Sequence, residues 1–567
     1  MNKTSMNSVF KLLCTFTAGV FISACGGSGG AESPPLPPPS TPVQPEQPLV
    51  PNPEPATDHA GLVPINPLVP DENEHLSGGA ITVFIKNEDA FSGRPTPVKQ
   101  DFRFDGNFTS GDHIFRTPNQ NFGPLLNTST CQGCHLNDGR GVLPKSENDP
   151  FTSMLVKISD AFGQADPTYG TQIQTFSASS FNTSDFSAGW PRHDGSINGT
   201  INLGEAFVFI RYEDLNLQYS DGTPVTLRKP IYYIRDLSFG AFVDDIQFSP
   251  RISPQVFGAG LLEAIPSEHI EALADQSDSN GDGISGKVSR VTNVITDADA
   301  IGRFTYKAQT PSVLQQAAAA FNGDMGITTT LFPNENCTQN QLTCLNDAAL
   351  ERNPDTPDVS DRELAMVEFY NRVLAVPARR GYNENSNAWD EDILRGRTRF
   401  FELGCASCHT PRHKTGIAKG SELGEITLTG LEANPSDIAF LSEQTIYPYT
   451  DLLLHDMGGQ CEIRQETDQG LSCESGADCL YVQRCEGLAD GVIQGNAIGS
   501  EWKTPPLWGL GLVQTVNPNA TFLHDGRART IEEAILWHAG ESSDAQAAFL
   551  ALDKEARADL LSFLKSL

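Results

Sequence analysis

The sequence predicts a mainly α protein of two domains, the first with added short strands and long loops. Three observations carry this expectation. Two Cys-x-x-Cys-His strings lie 274 residues apart, too far for one small domain to hold both. Helix-start signals gather around and after the second string. Short strand-like runs gather between residues 80 and 260.

The strings are Cys131-Gln-Gly-Cys134-His135 and Cys405-Ala-Ser-Cys408-His409. This is the attachment pattern for c-type haem. Two thiols at this spacing reach the two vinyl groups of one porphyrin and form thioethers. The adjacent imidazole then falls beneath the iron as proximal ligand. The expected cofactors are therefore two covalently bound haem c groups. Cys131, Cys134 and His135 would hold haem 1, and Cys405, Cys408 and His409 haem 2. Each string marks one cytochrome c-like haem domain, 61–376 and 377–567.

Each element has its own signal. Ala80–Ile85, Ala206–Tyr212 and Pro230–Arg235 are apolar, β-branched or aromatic runs that read as strands. Ser360-Asp-Arg-Glu363 is a capping box. Met366, Phe369, Tyr370, Val373 and Leu374 then form one apolar stripe, and Pro377 ends the helix. A second helix, about Asp390 to Leu403, runs into Cys405. Thr530-Ile-Glu-Glu533 is another capping box, after which Ile531, Ile535 and His538 share a face. Asp544 to Leu564 reads as a last amphipathic helix.

Residues 1–24 read as a bacterial export signal, with Lys3 and Lys11 before an apolar run from Leu12 to Ile22. Ile22-Ser23-Ala24-Cys25 is a lipoprotein cleavage pattern, so Cys25 would carry lipid and anchor the chain in the outer membrane. Its periplasmic or cell-surface placement stays open. Residues 25–60 form a Pro-rich tether that cannot pack a core. The net charge of −32 argues against nucleic acid as a partner.

Of 12 Cys, Cys14 and Cys25 fall in the signal and four in the haem strings. Six remain, an even number that reads as disulfides in an oxidising compartment. Cys337 and Cys344 close a small loop. Cys461, Cys473, Cys479 and Cys485 allow three pairings. Asp278, Asn280 and Asp282 open a calcium-loop pattern, but Ser289 stands where its bidentate Glu belongs. The loop reads equally as Ca²⁺ site and as plain turn.

Further strings resemble a known group. The two haem motifs, Gly302-Arg-Phe-Thr-Tyr306 through Gln316, and Phe522-Leu-His524-Asp-Gly-Arg-Ala-Arg-Thr-Ile-Glu-Glu-Ala534 resemble the bacterial di-haem cytochrome c peroxidases. They also resemble the related di-haem enzyme that matures tryptophan tryptophylquinone. Gly258-Ala-Gly-Leu-Leu-Glu-Ala264, Asp324-Met-Gly-Ile-Thr328, Leu453-Leu-His455-Asp-Met-Gly458 and Thr504-Pro-Pro-Leu-Trp508 are more similar still to the di-haem oxidoreductase branch. Its members are also called peroxidases or thiol oxidoreductases. The resemblance covers about residues 78–567.

The resemblance implies roles for particular residues. In the peroxidases a His-Asp-Gly histidine lies 14 residues before the distal ligand of the C-terminal haem; His524 and His538 take those places. The peroxidases put Met at the second place and the quinone-forming enzyme puts Tyr. Haem 2 is thus expected to be bis-histidine, His409 with His538, and of lower potential than a His/Met haem. Met457 and His455 are the rival ligands. Tyr306 stands ten residues before Gln316, where the relatives carry a Trp between the haems, and would relay an electron or hold a radical. Asp324 stands near the family's catalytic Glu, in a stretch one residue shorter. It is the implied general acid/base, with Gln316 as its polar neighbour. Many resting peroxidases block haem 1 with a histidine 16 residues past the proximal one. Phe151 stands there, so haem 1 is expected to be open or water-bound. His193 and Met325 remain as ligands from a distance. Relative to the branch, residues 460–486 read as a Cys-rich insertion.

The expected function is that of a peroxidase-like di-haem c-type oxidoreductase. Asp324, Gln316 and Tyr306 would serve an open haem 1, and haem 2 would transfer electrons. Peroxide is the expected oxidant, and a small redox protein or a protein side chain the donor. The alternative is a non-catalytic electron-transfer lipoprotein with both haems six-coordinate. Thiol oxidation finds no Cys-x-x-Cys free of haem to carry it.

Overall fold

A computed structural model describes residues 65–119, 121–178, 204–351, 356–423, 438–473 and 479–567. The expected signal, Cys25, the tether and His193 lie outside the described residues.

The mainly α expectation does not hold: the described residues are 28% helical and 20% strand, with many small sheets. The excess strand has two sources. The runs read as short strands extend into Phe207–Gln218 and Pro224–Arg235, each 12 residues long and paired as one antiparallel hairpin. The Cys-rich segment 460–486 then supplies Cys461–Glu466 and Leu480–Cys485. These join the hairpin in a four-stranded sheet, with Leu480–Cys485 laid along Pro224–Arg235. Cys461 and Cys485 face each other across their strands and are disulfide-bonded. Cys337–Cys344 and Cys473–Cys479 are the other pairs, whereas Cys131, Cys134, Cys405 and Cys408 stay free.

A second, three-stranded antiparallel sheet runs Gln172–Ile173, Met154–Ser159, Gln247–Ile252. One of its faces carries Val156, Ile158, Ile173 and Phe248 into an apolar cluster. The other face is polar and is described below.

The helices follow their capping signals. Ser360 closes its capping box and starts Asp361–Val373. This helix packs on Phe102–Arg116 at Gly111, where a β-carbon would collide with the Met366 carbonyl. Glu391–Glu402 packs in the same way on Lys554–Ser566, through Gly396 against the Asp559 carbonyl. Thr530 caps Ile531–Leu536, which stops short of His538, although His538 N still donates to the Ile535 carbonyl. The expected last helix is two, Ser543–Ala551 and Lys554–Ser566, because Asp553 caps a new start. Of the run 80–85, only Thr82–Val83 is strand, in parallel with Val376–Pro377. Among the described residues no helix is long and apolar enough to cross a membrane.

One apolar cluster holds Ile81, Phe108, Tyr370 and Val376 together with Phe400, Trp508 and Phe563. Within it sits a buried carboxylate, Glu74, 1% exposed. It accepts hydrogen bonds from Arg379, from Arg397 at 2.6 Å and from the Tyr449 hydroxyl at 2.6 Å. Burial works to raise its pKa, but the two guanidinium charges and the hydroxyl outweigh it and hold the carboxyl low. That contribution to stability is present above the ordinary value of 4.5 and lost as pH falls. Glu74→Gln would leave two buried cations uncompensated. It should cost about 3–5 kcal/mol in denaturant unfolding at neutral pH.

Candidate functional site

The first haem string folds as a single turn, Cys131–Cys134, whose Gly133 N is capped by Thr130 Oγ1 at 2.8 Å. His135 Nδ1 lies 2.6 Å from the Pro254 carbonyl. A carbonyl only accepts, so Nδ1 carries the proton and Nε2 is bare. Burial lowers the His135 pKa and keeps the ring neutral. The thiols of Cys131 and Cys134 are likewise raised by burial, Cys131 to about 12. All three side chains are enclosed by protein yet only half-buried, so they line an internal space. Free thiols, a bare Nε2 and a walled space fit a covalently held haem.

The second string repeats the arrangement. His409 Nδ1 bonds the Tyr449 carbonyl at 3.1 Å. Tyr449 itself has φ 56°, the left-handed region that costs a bulky residue about 1–3 kcal/mol. Its hydroxyl bond to Glu74 and its contact with Arg397 hold it there. Burial, and His538 nearby, lower the His409 pKa to about 4. His538 Nδ1 bonds the Ala534 carbonyl at 2.8 Å, so its Nε2 is also bare. Two neutral imidazoles within electrostatic reach of each other fit a bis-histidine haem. The rivals are engaged elsewhere. His455 bonds Asp451 at 2.8 Å through Nε2 and Glu541 at 2.7 Å through Nδ1. The Met457 sulfur accepts from Ser542 at 3.9 Å.

Asp324 lies at the end of the helix Val313–Met325 and within electrostatic reach of Cys131, Cys134 and His135. Its carbonyl accepts from Asn127 N at 2.7 Å and Thr128 N at 3.1 Å, just before the first string. Its Oδ1 accepts from Gln172 Nε2 at 2.9 Å. Gln316 is not its hydrogen-bond partner. It lies eight residues earlier on the same helix, about 12 Å along the axis, and accepts from Thr310 at 2.9 Å. Met325 and Phe151 are buried in apolar clusters.

Tyr306 belongs to an aromatic group that includes Trp502, which sequence reasoning missed. Trp502 and His524 stack at 3.8 Å and 14°, and Tyr306 meets both edge-on at 6.4 Å. The group reaches towards both strings. The Tyr306 hydroxyl donates to the Ile252 carbonyl at 3.0 Å, two residues before the Pro254 that holds His135. Trp502 is the strand partner of His455, which approaches Cys408 Sγ at 3.7 Å. One of only five tryptophans, just before Thr504-Pro-Pro, was the available signal.

In the 278–283 loop the side chains serve the loop itself. Asn280 donates to Asp282 at 3.1 Å, and Asp278 accepts from Gly283 N at 3.1 Å. Among the described residues no group of three or more His, Cys, Asp or Glu side chains is set to hold a metal ion.

A family model described as di-haem oxidoreductase, putative peroxidase, matches residues 74–471 and 459–567. None of the curated proteins matches the chain. Among solved structures, Kuenenia stuttgartiensis hydrazine synthase pressurised with xenon matches at 18% identity with a TM-score of 0.21. The match covers 39% of this chain and 62% of that one, so this chain spans under two thirds of that chain. A likeness this slight carries no argument.

The carboxylates around His455 predict an acid limb of stability. Burial opposes their charge, but the His455 bonds and charge outweigh it and hold Glu541 down to about 2. This stability is present above the ordinary value of 4.5 and lost as pH falls towards about 2. Glu541→Gln should lower stability at neutral pH and flatten the loss on acidification. Denaturant midpoints measured across that range check it.

Proposed function

The chain belongs to this di-haem oxidoreductase family, and from that premise we propose a peroxidase-like enzyme with one open and one closed haem c. The carrying observation is the asymmetry between the strings. His409 has a second neutral imidazole, His538, within electrostatic reach, whereas His135 has the carboxylate Asp324.

Cys131, Cys134 and His135 would hold haem 1; Cys405, Cys408, His409 and His538 would hold haem 2. When bound, haem supplies a redox-active iron and, where a coordination position is open, a place for the oxidant. The net reaction is reduction of one peroxide by two electrons and two protons to two waters. Asp324 takes the proton from the first peroxide oxygen and delivers it to the leaving one, which eases O–O cleavage. Gln172 keeps Oδ1 fixed during the transfer. The stacked rings of Trp502 and His524, with Tyr306 edge-on to both, offer π systems through which charge would cross between the two strings. The donor would be a small redox protein or a protein side chain. Lipid at Cys25 would anchor the enzyme at the outer membrane, and its strongly negative net charge, −32 before and −34 after Lys3 and Lys11 leave with the signal, would repel anionic partners.

Low-temperature EPR of the ferric holoprotein tests the asymmetry. One high-spin and one low-spin signal are expected, and His538→Ala should turn the low-spin signal high-spin. Two low-spin signals in the diferric protein, with the haem left ferric after one-electron reduction still low-spin, would establish the electron-carrier alternative instead. Asp324→Asn should slow the reaction with peroxide by about 10²-fold or more in stopped-flow traces and leave both EPR signals in place.

A further inference from the structure

The polar face of the three-stranded sheet carries a residue with no assigned task. Lys157 lies directly opposite Gln172 on one neighbouring strand and Ser249 on the other. Directly opposed residues of an antiparallel pair share a face. Leu155 and Arg251, the next pair along, share it too. Gln172 on this face donates to Asp324, so the row Gln172–Lys157–Ser249 is turned towards the end of the Val313–Met325 helix. Gln174 follows Gln172 and donates to the Gly323 carbonyl at 2.7 Å. The opposite face of the sheet is wholly apolar.

Lys157 is out of place in such a strand. It is enclosed by protein but only half-buried, as are the haem-string residues, and so faces an internal space; Asp324 is half-buried as well. The groups whose charge it feels are Asp324 and Arg251. Arg251 is committed elsewhere: its Nε donates to Ser249 at 2.9 Å, and its charge faces Asp490 at 3.7 Å. Asp490 is shared with Lys307 at 3.0 Å. Asp324 has one oxygen taken by Gln172. Among the described residues Lys157 Nζ has neither a hydrogen bond nor an ion pair. An enclosed ammonium without a partner is costly. A position that only needed filling would carry an apolar side chain here, as Val156 and Ile158 do on the other face.

We infer that Lys157 is an anion-binding residue of the haem 1 pocket, which takes its small substrate as an anion between Lys157 and Asp324. This rests on the reading that haem 1 has an open position. Peroxide gives its proton to the Asp324 carboxylate, and the hydroperoxide anion so formed is held by the Lys157 ammonium. The proton and the negative charge stay in one pocket, and no electron moves in this step.

Fluoride is the probe, because it binds an open ferric haem as an anion and carries out no redox chemistry. Its dissociation constant is read from the high-spin optical bands of the holoprotein, with haem content measured alongside. Lys157→Met should weaken fluoride binding by about tenfold or more, the worth of a charge-assisted hydrogen bond. Lys157→Arg should restore it to within about threefold. Asp324→Asn, which removes the opposing charge, should strengthen it. Unchanged fluoride affinity in Lys157→Met would overturn the inference and leave the open haem standing. A loss of haem content in that variant without a change in affinity would also overturn it, and would make Lys157 a partner of the porphyrin carboxylates. Wild-type protein that shows a high-spin EPR signal and no fluoride response would overturn the inference alone. Absence of the high-spin signal itself would overturn the open-haem reading, and the inference with it.

Discussion

The second centre depends on a hydrogen bond made by a strained residue. Tyr449 holds a left-handed backbone so that its carbonyl meets His409 Nδ1. What keeps it there is a buried carboxylate far away in sequence, Glu74, with Arg379 and Arg397 around it. The carbonyl fixes the tautomer, and the tautomer leaves Nε2 free to ligate. Pro254 does the same for His135 from the segment after Gln247–Ile252. In both cases the string supplies the ring and a remote segment supplies its direction.

Much of the site was legible because its chemistry needs fixed spacing. Two thiols and an imidazole in five residues could be read directly, as could Ser360 and Thr530 as caps. His538 and Asp324 were proposed through likeness to other chains, and each lies within electrostatic reach of a string histidine. What stayed hidden depends on pairing across the chain. Gln172, not Gln316, bonds Asp324, and that follows from a strand register no local pattern announces. Trp502 meets His524 only once the segments around them fold together. The helical expectation failed because the hairpin strands run well past the apolar runs that announced them, and the Cys-rich segment pairs as strands without a periodic signal.

The two centres are walled differently, and this fits their proposed division of labour. The second is enclosed by helix ends and loops, with His455 pinned between Asp451 and Glu541. Burial lowers the His455 pKa, but the Asp451 carboxylate outweighs it and holds that pKa well above its ordinary value. This is a closed setting in which one imidazolium is shared by two carboxylates, suited to a group that changes only its oxidation state. The first centre is roofed by a sheet whose inner face is polar and whose outer face is apolar. A rigid sheet can hold a polar lining in fixed positions without filling the space beneath it.

The enclosure of both strings also sets an order of events. Pro254 lies 119 residues beyond His135, and Tyr449 lies 40 beyond His409. The segments that hold the imidazoles are therefore made after the strings they serve. On the covalent reading, each porphyrin has to be joined to its thiols while the later segments are still open. Maturation is then a race between ligation and closure, and a chain that closes first traps itself empty.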